Sequence, residues 1–204
     1  YKGGGAISVV TNATGAEINV GVINASGDST AANATASDVT LIANGALRTS
    51  TILAAGVGAN VGGNVGLTGA SVNLGGAITT SGGANSTGGG NIAITGPVNL
   101  LSDIILQPGA GQANVTFSST IDSVSTRPGS LTINDGSGNV SFAGAIGQNY
   151  ALTAISISNG GTTTINGSVN AASLQLLNGT GQIQLNAQNV TTSGLQSYAG
   201  NLTL

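Results

Sequence analysis

The chain contains no cysteine, histidine, methionine or tryptophan. Without cysteine there is no disulfide scaffold and no thiolate metal site. Without histidine as well, nucleophile–base triads of the usual kinds cannot be assembled. Charge is nearly as scarce. Lys2, Arg48 and Arg127 are the only basic residues, and charged residues make up 4% of the chain, where ordinary soluble domains carry about 25%. With a net charge of −3 and three scattered cations, nothing can neutralise a nucleic-acid backbone, which takes clustered Lys and Arg. The same shortage removes polybasic attraction to anionic lipid. The aromatic residues are Tyr1, Phe117, Phe142, Tyr150 and Tyr198, too few for a wide globular core or for the aromatic girdles of a transmembrane β-barrel. No apolar run is long enough to span a bilayer as a helix. The chain starts at Tyr1 without an initiator Met or a signal-peptide pattern, and the expectation is an ordered part of a longer polypeptide.

What remains is aliphatic, small and polar. Hydrophobic residues make up 40% and glycine contributes 35 positions. Ample Val, Ile and Leu with little net charge argues against disorder. Lys, Glu and Arg normally build the solvated faces of helices, so their absence argues against helix. Ser, Thr and Asn must supply the polar surface, and they suit strands and turns. The fold class expected is all-β.

Period-two alternation, the mark of a strand with one buried face, recurs through the C-terminal half. The apolar pairs are Leu131/Ile133, Val140/Phe142, Ile155/Ile157, Thr163/Ile165, Leu174/Leu176, Ile183/Leu185 and Leu202/Leu204. Taken alternately they form two series, one through Phe142, Ile165 and Leu185, the other through Ile133, Ile157, Leu176 and Leu204. Internal periods of roughly 20 to 28 residues point to a solenoid. Upstream, AISVV, EINVGVI (Glu17 to Ile23), DVTLI and RTSTILAA read as further strands, and Val72/Leu74 and Ile92/Ile94 keep the period. Pro97, Pro108 and Pro128 fall between strands, where a missing N–H is harmless. Asn-Gly pairs at Asn44, Asn159, Asn166 and Asn178 are expected at corners that need φ > 0.

These features predict a right-handed parallel β-helix of roughly nine coils, a single segment over residues 1–204, with a Gly-rich loop excursion near 81–90. At about 4.8 Å per strand spacing its length is about 40–45 Å. Phe142, Ile165 and Leu185 are predicted to superpose in one interior column.

The tracts GPVNLL, DIIL and GAGQANVTFSSTID, then LTINDGSGNVSFAGAIG, GGTTTINGSVNAASL and VTTSGLQSYAGNLTL resemble the β-strand repeats of the filamentous haemagglutinin family. Those are giant bacterial exoproteins, often exported by two-partner secretion. The resemblance covers residues 91–204; residues 1–90 share composition only. It implies a right-handed parallel β-helix, an extracellular or cell-surface fibre, an outer-membrane secretion partner, and roles in adhesion, aggregation and biofilm matrix. The secretion-recognition domain of that family has no counterpart in these residues.

Candidate chemistry is sparse. The acids are Glu17, Asp28, Asp38, Asp103, Asp122 and Asp135. β-Helix polysaccharide lyases and hydrolases stack such groups on one sheet, but Asp103 lies one residue before its strand pair and Asp135 two after its own, so the two are out of phase. Asp122 and Arg127 are expected to form a surface pair, and the acids in general to be solvated or to cap turns. The nonapeptide G-G-x-G-x-D of calcium-binding β-rolls is not matched by the runs at Gly62-Gly63, Gly82-Gly83 and Gly88 to Gly90. A lone cation at Asp135-Gly136 is the most that pattern offers. Those runs are not phosphate loops either, since no Lys follows them.

The acceptor pattern Asn-x-Ser/Thr occurs at Asn12, Asn24, Asn33, Asn85, Asn114, Asn139, Asn166, Asn178, Asn189 and Asn201, where composition alone gives roughly five. Glycosylation there competes with a plainer account, in which alternation places polar residues i and i+2 on one strand face. Thr162-Thr163-Thr164 and Thr191-Thr192 hint at the Thr rows of ice-binding solenoids, but in too few turns.

No catalytic, cofactor-binding or metal-binding residue is therefore expected, and no enzyme activity. The function expected is a structural and adhesive segment of a secreted bacterial fibre, binding copies of itself head-to-tail or laterally, and surface or matrix glycans. The alternative is a carbohydrate-binding or carbohydrate-processing β-helix. Neither nucleic acid nor membrane insertion belongs to either reading.

Overall fold

The computed structural model describes residues 5–187 and 189–204. Among these the secondary structure is strand, turn and loop, with strands numbered β1 to β22 in chain order. They wind around three faces. The first face holds β1 (Ile7–Val10), β4 (Val39–Ile42), β7 (Val65–Thr68), β10 (Ile92–Thr95), β13 (Val115–Phe117), β16 (Val140–Phe142), β18 (Thr162–Ile165) and the second half of β20 (Leu174–Leu185). The second holds β2 (Ile18–Val20), β5 (Ala46–Thr49), β8 (Ser71–Leu74), β11 (Val98–Leu100) and β14 (Ile121–Ser123), then β19 (Val169–Ala171) and β21 (Val190–Thr192). The third holds β3 (Ile23–Asn24), β6 (Ile52–Leu53), β9 (Ile78–Thr79), β12 (Ile104–Gly109), β15 (Leu131–Asp135), β17 (Ile155–Ser158), the first half of β20, and the first half of β22 (Gln196–Thr203), whose second half lies on the first face.

Strand follows strand in parallel from turn to turn on each face, β4 pairing β7, β5 pairing β8 and β6 pairing β9. β20 turns the corner between the third and first faces, so that these two merge into one sheet. The molecule is a parallel β-solenoid of about seven turns. Nine were expected because the C-terminal spacings were extended to the whole chain. The turns are in fact longer upstream, with equivalent side chains 26 and 27 residues apart near Asn64 and Asn91 but 20 apart at Thr164 and Gln184. Loop excursions, among them the Gly-rich stretch near 81–90, take up the difference. Seven turns at about 4.8 Å make a rod of about 35 Å.

The interior is a set of registered columns. On the first face Val9, Leu41, Leu67, Ile94, Phe117, Phe142, Ile165 and Leu185 stand one above another, and the superposition expected of Phe142, Ile165 and Leu185 is present. Phe117 and Phe142 stack face to face, with ring centroids 5.2 Å apart and planes 9° from parallel. Leu47, Val72, Val98, Ile121, Ile146 and Val169 form a column on the second face, and Leu106, Ile133, Ile157 and Leu176 one on the third. All of these except Val9 and Leu185 are at most 1% exposed. Stacking like on like lets narrow aliphatics fill a core that would otherwise need rings, and no turn can bury its apolar side without its neighbours.

Three expectations are corrected. EINVGVI is not one strand; a corner at Gly21-Val22 divides it into β2 and β3, and β3, two residues long, is too short to show a period of its own. The column through Leu176 continues to Tyr198, not Leu204. Thr203 pairs Gln184, which places Leu204 level with Leu185 on the first face. Among the described residues positive φ is confined to glycine, and of the four Asn-Gly pairs only Asn178-Gly179 has it, at Gly179 with φ 56°, so the pairs at Asn44, Asn159 and Asn166 do not serve as left-handed corners. Their side chains form hydrogen bonds instead.

At one corner Asp38, Asn64, Asn91, Asn114 and Asn139 make a ladder along the rod. The Oδ1 of each accepts from the backbone N–H one turn on, at 2.7, 2.9, 2.7, 2.9 and 2.9 Å, ending at Thr162. The corner is kept tight by glycine: a Cβ on Gly138 would run into the backbone carbonyl of Ala113 in the turn below.

Candidate binding groove on the second face

The outward side of the second face carries a polar row. Asn19, Arg48, Asn73, Asn99 and Asp122 lie in register on successive strands, and Asn99 Nδ2 donates to Asn73 Oδ1 at 3.1 Å. In the next turn the row is interrupted. Ile146 pairs with Ile121 on one side and Val169 on the other, while Leu152 pairs with Ala171. Five residues, Gly147 to Ala151, therefore stand where Asn170 alone stands one turn later. Gly147 opens this excursion at φ 71°, a conformation that disfavours any side chain.

The excursion is fastened towards the earlier turn by Asp122. Its Oδ1 accepts from the backbone N–H of Asn149 at 2.8 Å and of Tyr150 at 3.2 Å, and its Oδ2 from Asn149 Nδ2 at 2.9 Å. Ser123 N–H donates to the Tyr150 carbonyl at 3.1 Å. Asp122 is 6% exposed. The surface pair expected with Arg127 gives way to this arrangement, because the excursion covers the carboxylate and supplies three N–H donors.

Drawn one way, the excursion leaves the following two turns uncovered. A cavity of about 280 Å³ there is lined by residues including Gln148, Ser168, Asn170, Asn189 and Thr191. A second, of about 520 Å³, lies against Ala151, Thr153, Asn170, Thr191 and Ser193. Asn170 and Thr191, neighbours across β19 and β21, belong to both, so the two form one groove over the second face. No charged side chain lines it. Gln148, Asn170, Asn189 and Thr191 are exposed, and their side chains make no hydrogen bond to another described residue. Tyr150, 50% exposed, lines neither cavity.

The remaining acids are scattered. Asp28 Oδ1 accepts from the N–H and Oγ1 of Thr30, capping a turn. Asp103 accepts from Ser130 N–H at 2.9 Å and Ser130 Oγ at 2.8 Å, and these bonds hold its carboxyl below the usual range. Asp135 lies opposite Gly109, out of phase with Asp103 as expected. Burial pushes its carboxyl up to about 6. Among the described residues no three carboxylates come close enough to hold a metal ion.

Of the ten Asn-x-Ser/Thr positions, Asn12, Asn24, Asn33, Asn85, Asn114, Asn139, Asn166, Asn189 and Asn201 are exposed. Asn114 and Asn139 serve the ladder, and Asn166 Oδ1 accepts from Asn186 Nδ2 at 2.9 Å. Asn178 is 1% exposed and bonds to Thr163 inside the rod, so the folded chain offers no access to it. Sequence reasoning singled out Thr191 only as part of a Thr pair and Asn189 only as an Asn-x-Ser/Thr position, and it passed over Gln148 and Asn170. The available signal was the gap in alternation between Phe142 and Ile155.

Fold and groove together define a charge-poor parallel β-solenoid with one interrupted face. Compared with protein-family models, with curated proteins and with solved structures, the chain finds no match.

Proposed function

We propose that this chain is a structural and adhesive segment of a secreted bacterial cell-surface fibre. The observation that carries the reading is the column from Val9 to Leu185, continuous through every turn on the first face. Such a stack transmits its geometry along one axis and gives stiffness and reach. A surface of hydroxyls and amides with almost no charge suits contact with uncharged surfaces. The resemblance of residues 91–204 to filamentous haemagglutinin repeats supports the same reading, and with it an extracellular location, export through an outer-membrane partner, and a part in aggregation and biofilm matrix.

Self-association is part of the proposal. Among the described residues β1 and β22 each have one unpaired edge. Interior side chains at the two edges, Ile7 and Val9 on one and Leu202 on the other, belong to the same face. Open parallel edges template further strands, and a head-to-tail contact of this kind generates a filament. Electron microscopy of native material labelled with antibody to this chain tests the reading. Labelled filaments a few nanometres wide at the cell surface are expected; label confined to compact particles inside the cell contradicts it.

A further inference from the structure

We infer that the groove over Asn170 and Thr191 is a binding site for a neutral oligosaccharide. The inference rests on the surface-contact part of the fibre reading and gives that contact a place and a ligand class. Along the rod some outward amides and hydroxyls are engaged with one another, as in the Asn64–Asn91–Asn114 ladder and the Thr164 to Gln184 bond, while others, such as Asn19 and Thr116, stand singly on flat strand faces. In the groove four of them line one cavity together: Gln148, Asn170, Asn189 and Thr191 keep their donors and acceptors free of other described residues.

An amide offers a donor pair beside an acceptor, and a hydroxyl offers both. Vicinal sugar hydroxyls need that combination. The methyl groups of Ala145, Ala151 and Ala172 supply apolar surface for the C–H faces of pyranose rings. With no cation in the lining, phosphate and sulfate have no partner. The combined space falls in the range of about 300–1,000 Å³ found for ligand pockets, and its two lobes meet over Asn170, which fits a chain of sugars better than a single ring. Asp122 acts here as a positioning residue, holding the excursion clear of the lobes.

The test is an NMR titration of the chain with cellotetraose, maltotetraose, mannotetraose and chitotetraose, and with tetragalacturonate as the charged comparison. At least one neutral tetrasaccharide is expected to shift the amide signals of Gln148, Asn170 and Thr191, with a dissociation constant of about 1 mM or tighter. The affinity is expected to be unchanged between low and high salt, since no ion pair is involved. Asn170→Ala and Thr191→Val should each weaken it at least about fivefold with the rest of the spectrum intact, while Thr116→Ala on the first face leaves it as it was. The inference is overturned if no neutral tetrasaccharide moves those signals, if only the uronate does, or if Asn170→Ala binds as well as the parent chain. Filaments without sugar binding would remove the site and leave the fibre reading standing; sugar binding without filaments would do the reverse.

Discussion

Asp135 sits where the third face turns into the first, in the register position occupied by Asn159 and Asn178 in the next two turns. Its Oδ1 accepts from Gly136 N–H at 2.8 Å, and its Oδ2 is buried without a partner. Burial raises its carboxyl from 3.8 to about 6. Because the unfolded chain loses this proton at lower pH than the folded one, the group's contribution to stability falls as pH rises from about 4 to about 6 and stays low above that. Asp135→Asn removes the charge and matches the neighbouring amides. The variant should melt higher than the parent near pH 8, with the gain shrinking towards pH 4; thermal melts across that interval check it, and a lower melting point near pH 8 contradicts it. In the core, Phe142→Ala leaves Phe117 without its stacking partner and should cost about 3–5 kcal/mol by denaturant unfolding.

Among the elements, the ladder and the strands make separate predictions. Asn91 accepts from Asn114 N–H and donates its own N–H to Asn64 Oδ1. Asn91→Ala removes the acceptor and should cost about 1 kcal/mol, with amide exchange quickened at Asn114 on the adjoining turn. On β7, Gly66 points outward with nothing within 4 Å of a built Cβ, between Thr40 and Ala93. Gly66→Thr should stabilise by about 0.5–1 kcal/mol, because the strand regains a side chain of high β-propensity and loses backbone freedom in the unfolded state. Strands of four residues such as β10 and β17 were legible because alternation shows itself over that length. β3, β6 and β9, two residues each, were not, since two residues carry no period. The role of Asn159 was misjudged for a related reason: Asn-Gly fits a left-handed corner and a side chain bonded to Gly161 and Thr163 equally well until the turns are in register.

For the whole molecule, a chain with almost no ions and few rings left the solenoid as the one architecture able to bury its aliphatics, and the column through Phe142, Ile165 and Leu185 could be named in advance. The groove could not. Asn170, Thr191 and Gln148 meet only because successive turns stack, and the displacement of Gly147 to Ala151 depends on Asp122 in the turn before. The central claim is that strands run across the rod and turns repeat along it. X-ray diffraction from an oriented, dried fibre of the chain measures this most directly. The account predicts a sharp meridional reflection at about 4.8 Å. That reflection on the equator, with strands parallel to the long axis, or no oriented reflection at this spacing, would contradict it.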